Sequence, residues 1–152
     1  MDCEIAVIIS IGEMFPESSI LLCFVHIVRN FMKNMKSMVD TKFFKNSILR
    51  EAFRVVCGAL FLNLQDDEIM EELLNYLECE VPSRLKGTLK ANFEGYVEYL
   101  IKWYFSDDAS FSFGHFNYYD SIMTRGNYNV STNCLEPINR HLKQASGAGV
   151  LP

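Results

Sequence analysis

Basic residues are scarce for a chain of this length. The 152 residues hold 14 Lys and Arg against 19 Asp and Glu, a formal net charge of -5 at pH 7, and phosphate binding is supplied mainly by Lys and Arg. That balance excludes a free-standing nucleic-acid coat and confines any basic surface to a local patch. Long apolar runs are missing as well: Ile20-Leu21-Leu22-Cys23-Phe24-Val25 stops at His26 and Arg29, far short of the roughly 20 residues that span a bilayer. No membrane helix is expected, and no membrane partner. The N-terminus makes a poor secretory signal, because Asp2 and Glu4 stand where positive charge belongs and no small-residue cleavage site follows. The five cysteines, Cys3, Cys23, Cys57, Cys79 and Cys134, are odd in number and scattered. Such usage suits reduced intracellular thiols better than a disulfide framework.

Several site chemistries are absent too. There is no Gly-x-Ser-x-Gly elbow, and no cysteine lies in a protease context. Gly147 and Gly149 follow a helical pattern rather than precede one, so no glycine loop is placed to cradle phosphate. Cys23-Phe24-Val25-His26 is half of a zinc-type pairing, but a structural zinc takes four ligands, and Cys57, Cys79, His115, Cys134 and His141 contain no second close pair. Cys23 reads equally as a small buried hydrophobe and His26 as a hydrogen-bonded residue at a helix start.

What is present is the material of one domain, or part of a larger one, with 49 % hydrophobic residues and enough chain to bury a core. Asp2 to Met14 reads as a short helix with Ile5, Ile8, Ile9 and Gly12 on one side, capped by Asp2 and ended by Gly12 and Phe15-Pro16. Ser18 to Phe24 is a compact apolar run suited to a buried strand. From Val25 the spacing turns helical, with Val28, Phe31, Met32 and Met35 opposite Arg29, Lys33 and Lys36. Further helices are expected over Ser47 to Leu62, Asp66 to Leu77, and from Leu89 or Asn92 to Phe105, with Pro82 and Gly87 as punctuation. The aromatic stretch from Asp107 to Asn129 allows a short strand at Phe111 to Phe113 and a short helix at Phe116 to Met123. Its rings, from Trp103 to Tyr119, suit either base stacking or core packing. A last helix runs from about Asn133 to Gln144, before a loose tail.

Charge is segregated along the chain. Between Arg29 and Arg54 the bases Arg29, Lys33, Lys36, Lys42, Lys45, Arg50 and Arg54 face only Asp40 and Glu51, whereas Asp66, Asp67, Glu68, Glu71, Glu72, Glu78 and Glu80 follow without a base. A nucleic-acid face with an acidic counterweight gives this pattern, and so do ordinary solvated helix faces. Asp2 and Glu136 are the candidate metal-binding carboxylates, since nucleotidyl transfer on DNA holds hard divalent cations between carboxylates from separate segments. Each also has a structural explanation: Asp2 as a helix cap, and Glu136 as the acid of the capping-box pattern Asn133-x-x-Glu136.

The order of these pieces carries a resemblance. Asp2-Cys3-Glu4-x-Ala6, Phe15-Pro16, Cys23-Phe24-x-His26 and Arg29-Asn30-x-x-Lys33, then far downstream Ser131-Thr132-Asn133-Cys134-Leu135-Glu136-x-x-Asn139-x-x-Leu142-Lys143, resemble the C-terminal part of the catalytic domain of Mutator-like element (MULE) transposases. The resemblance implies a truncated ribonuclease-H-like fold, mainly α with one or two short strands and an all-helical insertion. It divides the chain into the end of the core (1–41), the helical insertion (42–128), the C-terminal core helix (129–145) and a flexible tail (146–152). It makes Asp2 and Glu136 two members of an Asp-Asp-Glu triad that holds Mg2+ or Mn2+ for DNA strand cleavage and transfer. Cys23 and His26 match the family's Cys-x-x-His element. Arg29, Lys33, Lys36, Arg140 and Lys143 become candidate DNA contacts, and the nucleus the expected location. Because no residue before Met1 supplies the first aspartate and its strands, the chain alone is expected to be inactive, to hold no metal stably and to touch DNA weakly. The competing expectation is a non-enzymatic helical interaction module that docks through Met-rich and aromatic surfaces.

Overall fold

A computed structural model describes residues 2–17, 21–119 and 122, with side chains from residue 6 onward. The chain is mainly helical, in the order α1 (Asp2–Met14), α2 (Phe24–Met38), a 3-10 turn (Phe43–Lys45), α3 (Ser47–Ala59), α4 (Asp67–Asn75), a π turn (Tyr76–Glu80), α5 (Val81–Arg84), α6 (Gly87–Trp103) and α7 (Phe113–Phe116). No strand occurs among the described residues.

Both expected strands are thereby corrected wherever they are described. Leu21 to Cys23 is irregular and Phe24 already opens α2, while Ser18 to Ile20 lie outside the described residues. An extended segment needs a neighbour to satisfy its backbone groups, and here a loop serves in place of a strand. The Leu22 N–H donates to the His115 carbonyl at 2.7 Å, and the Leu22 carbonyl accepts from the Tyr118 hydroxyl. Likewise the Phe111 N–H donates to the Trp103 carbonyl at 3.0 Å, and Phe113 begins α7.

The core is built by α2, α3 and α6. From α2 it takes Ile27, Phe31 and Met35, from α3 Leu49, Ala52, Phe53, Val56 and Ala59, and from α6 Phe93, Tyr96, Val97 and Leu100. These recur every three or four residues, so each helix buries one stripe. Rings close the centre: Phe31 meets Tyr104 edge-on at 4.9 Å, and Tyr104 meets Phe116 at 5.2 Å, the tilted geometry that aromatic quadrupoles favour. Tyr96 and Asn34 bring polar groups into this packing and hydrogen-bond them, as burial favours. The Tyr96 hydroxyl donates to the Phe31 carbonyl at 3.2 Å, and the Asn34 amide donates to the Tyr99 hydroxyl at 3.2 Å and to the Asn30 carbonyl at 2.9 Å.

Helix ends follow local chemistry. Asp66 caps α4 by accepting from the N–H groups of Glu68 and Ile69, and Asn46 caps α3 by accepting from those of Ile48 and Leu49. Pro82 does not end the helix it enters. It has no N–H and its ring crowds the carbonyl four residues back. The chain widens instead into the π turn, where the Val81 N–H donates to Tyr76, five residues earlier, and α5 continues with Pro82 in its first turn. Gly87, with φ of 58°, then enters α6 through the left-handed region that a Cβ disfavours.

On the face expected to bury α1, Ile8 packs partly buried against the core and Ile5 lies outside the described side chains, while Val7, Ile9, Met14 and Phe15 are more than half exposed at 54, 55, 70 and 55 %. The cause is in the sequence: Ala6-Val7-Ile8-Ile9 and Ile11 are apolar all round the helix, so no single stripe is selected.

Candidate functional site

On α2 the core residues Ile27, Phe31 and Met35 leave the opposite side to Arg29, Lys33 and Lys36, all exposed. At 100° per residue these bases share one face, and the seven steps from Arg29 to Lys36 span about 10 Å. They line a shallow depression of about 440 Å3 together with Met32, Ser37 and Thr41. Three of the candidate DNA contacts therefore meet at one place.

The helix itself makes this face anion-seeking. Its sequence, FVHIVRNFMKNMKSM, contains no acid, so Arg29 and Lys33 (i, i+4) and Lys33 and Lys36 (i, i+3) are like-charged neighbours, each pair costing roughly 0.2–0.5 kcal/mol. Among the described residues the ion pair is Arg84 with Glu51, at 3.3 Å and on another surface. A phosphate set among the three cations would relieve that repulsion. Lys42 and Lys45 continue the positive charge beyond the helix, exposed to solvent. The acids of α4, Asp67, Glu68, Glu71 and Glu72, are spent on a separate helix, where Asp67 and Glu68 favour its positive first turn. The charge segregation legible along the chain thus survives folding.

Of the remaining candidates, the described Cys23 and His26 do not line this depression. Cys23 occupies the position before the first turn of α2 and is half-buried, and His26 lies within that turn, exposed. Among the described residues no group of three or more His, Cys, Asp or Glu is placed to hold a metal ion. Asp2 opens α1 by its backbone, but its side chain, and all of Glu136, Arg140 and Lys143, lie outside the described residues. No helix among the described residues is long and apolar enough to cross a membrane.

The aromatic stretch divides towards packing. Tyr104, Phe105, Phe111, Phe116 and Tyr118 are almost completely buried, so these rings are core. Four methionines do the same: Met35 is fully buried, and Met32, Met38 and Met70 pack partly buried against the core. Met32 is the exception that sequence reading assigns only to the core, since it also borders the basic depression. Ser37 and Thr41 carry no motif that marks them for this place, although Ser37 falls one helical turn from Lys33 on the same face.

The thiols bear on stability. Cys57 and Cys79 are free thiols, and burial pushes the Cys57 thiol from its ordinary 9.0 up to about 11. In the unfolded chain this thiol ionises near 9, whereas the folded chain keeps the proton until about 11. Unfolding therefore releases a proton in that window, and stability must fall as pH rises through it. Burial shifts Tyr96 and Tyr118 upward as well, with the same sign at higher pH. Urea melts are expected to show the midpoint falling between about pH 9 and 11, with a shallower fall for Cys57→Ala in this window.

Comparison of the chain with sequence models of protein families, with curated proteins and with solved structures finds no match.

Proposed function

We propose that this chain is related to the catalytic domain of Mutator-like transposases, with a ribonuclease-H-like ancestry, and that residues 1–152 contact DNA without cutting it. The observation that carries the DNA reading is the convergence of Arg29, Lys33 and Lys36 on one exposed depression of α2. The ancestry rests on the ordered motifs from Asp2 to Lys143, and with it the division into core and helical insertion at residues 41/42. A nuclear location follows from the same reading. Arg140 and Lys143 would extend the contact from the C-terminal segment.

Asp2 and Glu136 supply the carboxylate oxygens that Mg2+ or Mn2+ takes. They are two members of a three-carboxylate set, and the third has no identified counterpart among these residues. No catalytic step is assigned to them. The net charge of -5 keeps the contact weak and local, and the acidic α4 steers a polyanion towards α2.

Three phosphate contacts to duplex DNA release counterions with a slope of log K against log[salt] of about -2.7, so affinity is expected to fall roughly 40-fold between 50 and 200 mM salt. A salt titration of duplex binding checks this. Binding that ignores salt, or no binding at low salt, would refute the proposal.

The second reading, a helical interaction module, is favoured by one observation of its own. It is α1, with exposed Val7, Ile9, Met14 and Phe15. On that reading DNA is not bound at all, so the same titration separates the two.

A further inference from the structure

A duplex offers the protein a convex surface of phosphates and sugars, with its base faces stacked inside. For such a partner the three cations of α2 would suffice, and a concavity between them would serve no purpose. Yet the bases surround a depression of about 440 Å3. The depression is shallow and open to solvent, so it offers a seat for one face of a ligand rather than an enclosure.

The lining is mixed in a specific way. Met32 sits at the seam of α2, partly buried against the core on one side and bordering the depression on the other. A thioether is polarisable and makes favourable contacts with aromatic rings. One turn before Lys33 stands Arg29, whose planar guanidinium stacks on ring faces as well as pairing with phosphate. Lys33 and Lys36 are point charges on flexible stems, suited to phosphate at any angle. Ser37 and Thr41 complete the lining with small hydroxyl side chains that leave the space open.

From this combination we infer that the α2 depression holds a nucleotide of an unpaired DNA strand. The base lies on Met32 and the Arg29 plane, and the flanking phosphates lie on Lys33 and Lys36. The inference rests on the DNA reading proposed above and adds to it which form of DNA the face prefers. Unstacked bases are available only in single strands, frayed ends or flipped positions. Electrostatics alone would favour the duplex, whose charge density gives the steeper salt dependence. A preference for the single strand would therefore report the depression and not the charges.

The test is fluorescence anisotropy with the full chain, using one labelled oligonucleotide as a single strand and as a duplex at equal salt. The single strand is expected to bind about 3- to 10-fold more tightly, the range that a sulfur–ring contact supports. Ser37→Leu fills the depression without changing charge or adding a ring, and Ser37 is exposed on a helix that leucine favours. That variant, and independently Thr41→Leu, should bring the ratio of single-strand to duplex affinity down towards one. Equal or tighter duplex binding by the unmodified chain, or a ratio unchanged in both variants, overturns the inference while leaving the DNA reading intact. Absence of binding to either form overturns both.

Discussion

Replacing Phe31 with alanine is expected to remove about 3–5 kcal/mol of stability, the range for deleting a buried phenyl ring. Phe31 is fully buried and lies where the helices converge, with its ring 4.9 Å from Tyr104 and 6.5 Å from Phe105. Its own carbonyl accepts from Tyr96 of α6 at 3.2 Å. The site cannot collapse easily, because its neighbours are rings fixed on α6 and on the loop after it. A whole domain is stable by only about 5–15 kcal/mol, so this one change approaches the margin for folding. With a urea dependence of about 2 kcal/mol per molar, the midpoint should drop by roughly 1.5–2.5 M. Lys33→Gln, on the opposite face of the same helix, should stay within about 0.5 kcal/mol. A loss below 1 kcal/mol for Phe31→Ala would mean that α2 is not seated in the common core.

Neutralising Arg29, Lys33 and Lys36 together to glutamine should have the largest effect on binding. Extrapolating a slope of about -2.7 from 1 M down to 50 mM salt assigns the three contacts up to roughly 3,000-fold of affinity, so a loss of about 100- to 1,000-fold is expected at 50 mM. Stability should hold or rise slightly, because the substitutions remove two like-charge pairs from one helix face. That separation of effects is the useful part: a variant that folds as well as its parent and no longer binds duplex DNA locates the contact on α2. Removing Lys86, just before α6, and Lys90 on it, both also exposed, should change binding far less.

Where one helix decides its own faces, the sequence was readable. The alternation of Phe31 and Met35 with Arg29, Lys33 and Lys36 places α2 correctly, and Phe93, Tyr96, Val97 and Leu100 do so for α6. The acids opening α4 announce their cap, and Asp66 makes it. The strand expected over Ser18 to Phe24 fails where it is described, from Leu21 on, because a short apolar run has the same composition in a strand as in a helix entry. The decision belongs to distant groups, the His115 carbonyl and the Tyr118 hydroxyl that satisfy Leu22. The passage of the chain through Pro82 was equally hidden, since proline reads as a stop unless a π turn relocates the hydrogen bonds.

Non-local polar contacts leave no local trace at all. The Asn117 side chain donates to the Leu60 carbonyl at 3.2 Å and to the Leu62 carbonyl at 2.8 Å, closing the C-terminal end of α3 from far along the chain. Asn30 on α2 reaches the Tyr104 hydroxyl at 3.2 Å in the same manner. The basic depression lies between these cases: its cations were legible from their spacing, whereas its concavity depends on where Met32, Ser37 and Thr41 fall after packing.

Lysine acylation read by mass spectrometry, with and without short duplex DNA, tests the placement of that interface most directly. Lys33 and Lys36 should be protected several-fold on adding DNA, Lys42 and Lys45 less, and Lys86 and Lys90 hardly at all, with all protection lost at high salt. Uniform protection across these lysines, or protection centred on Lys86 and Lys90, would contradict an interface on α2.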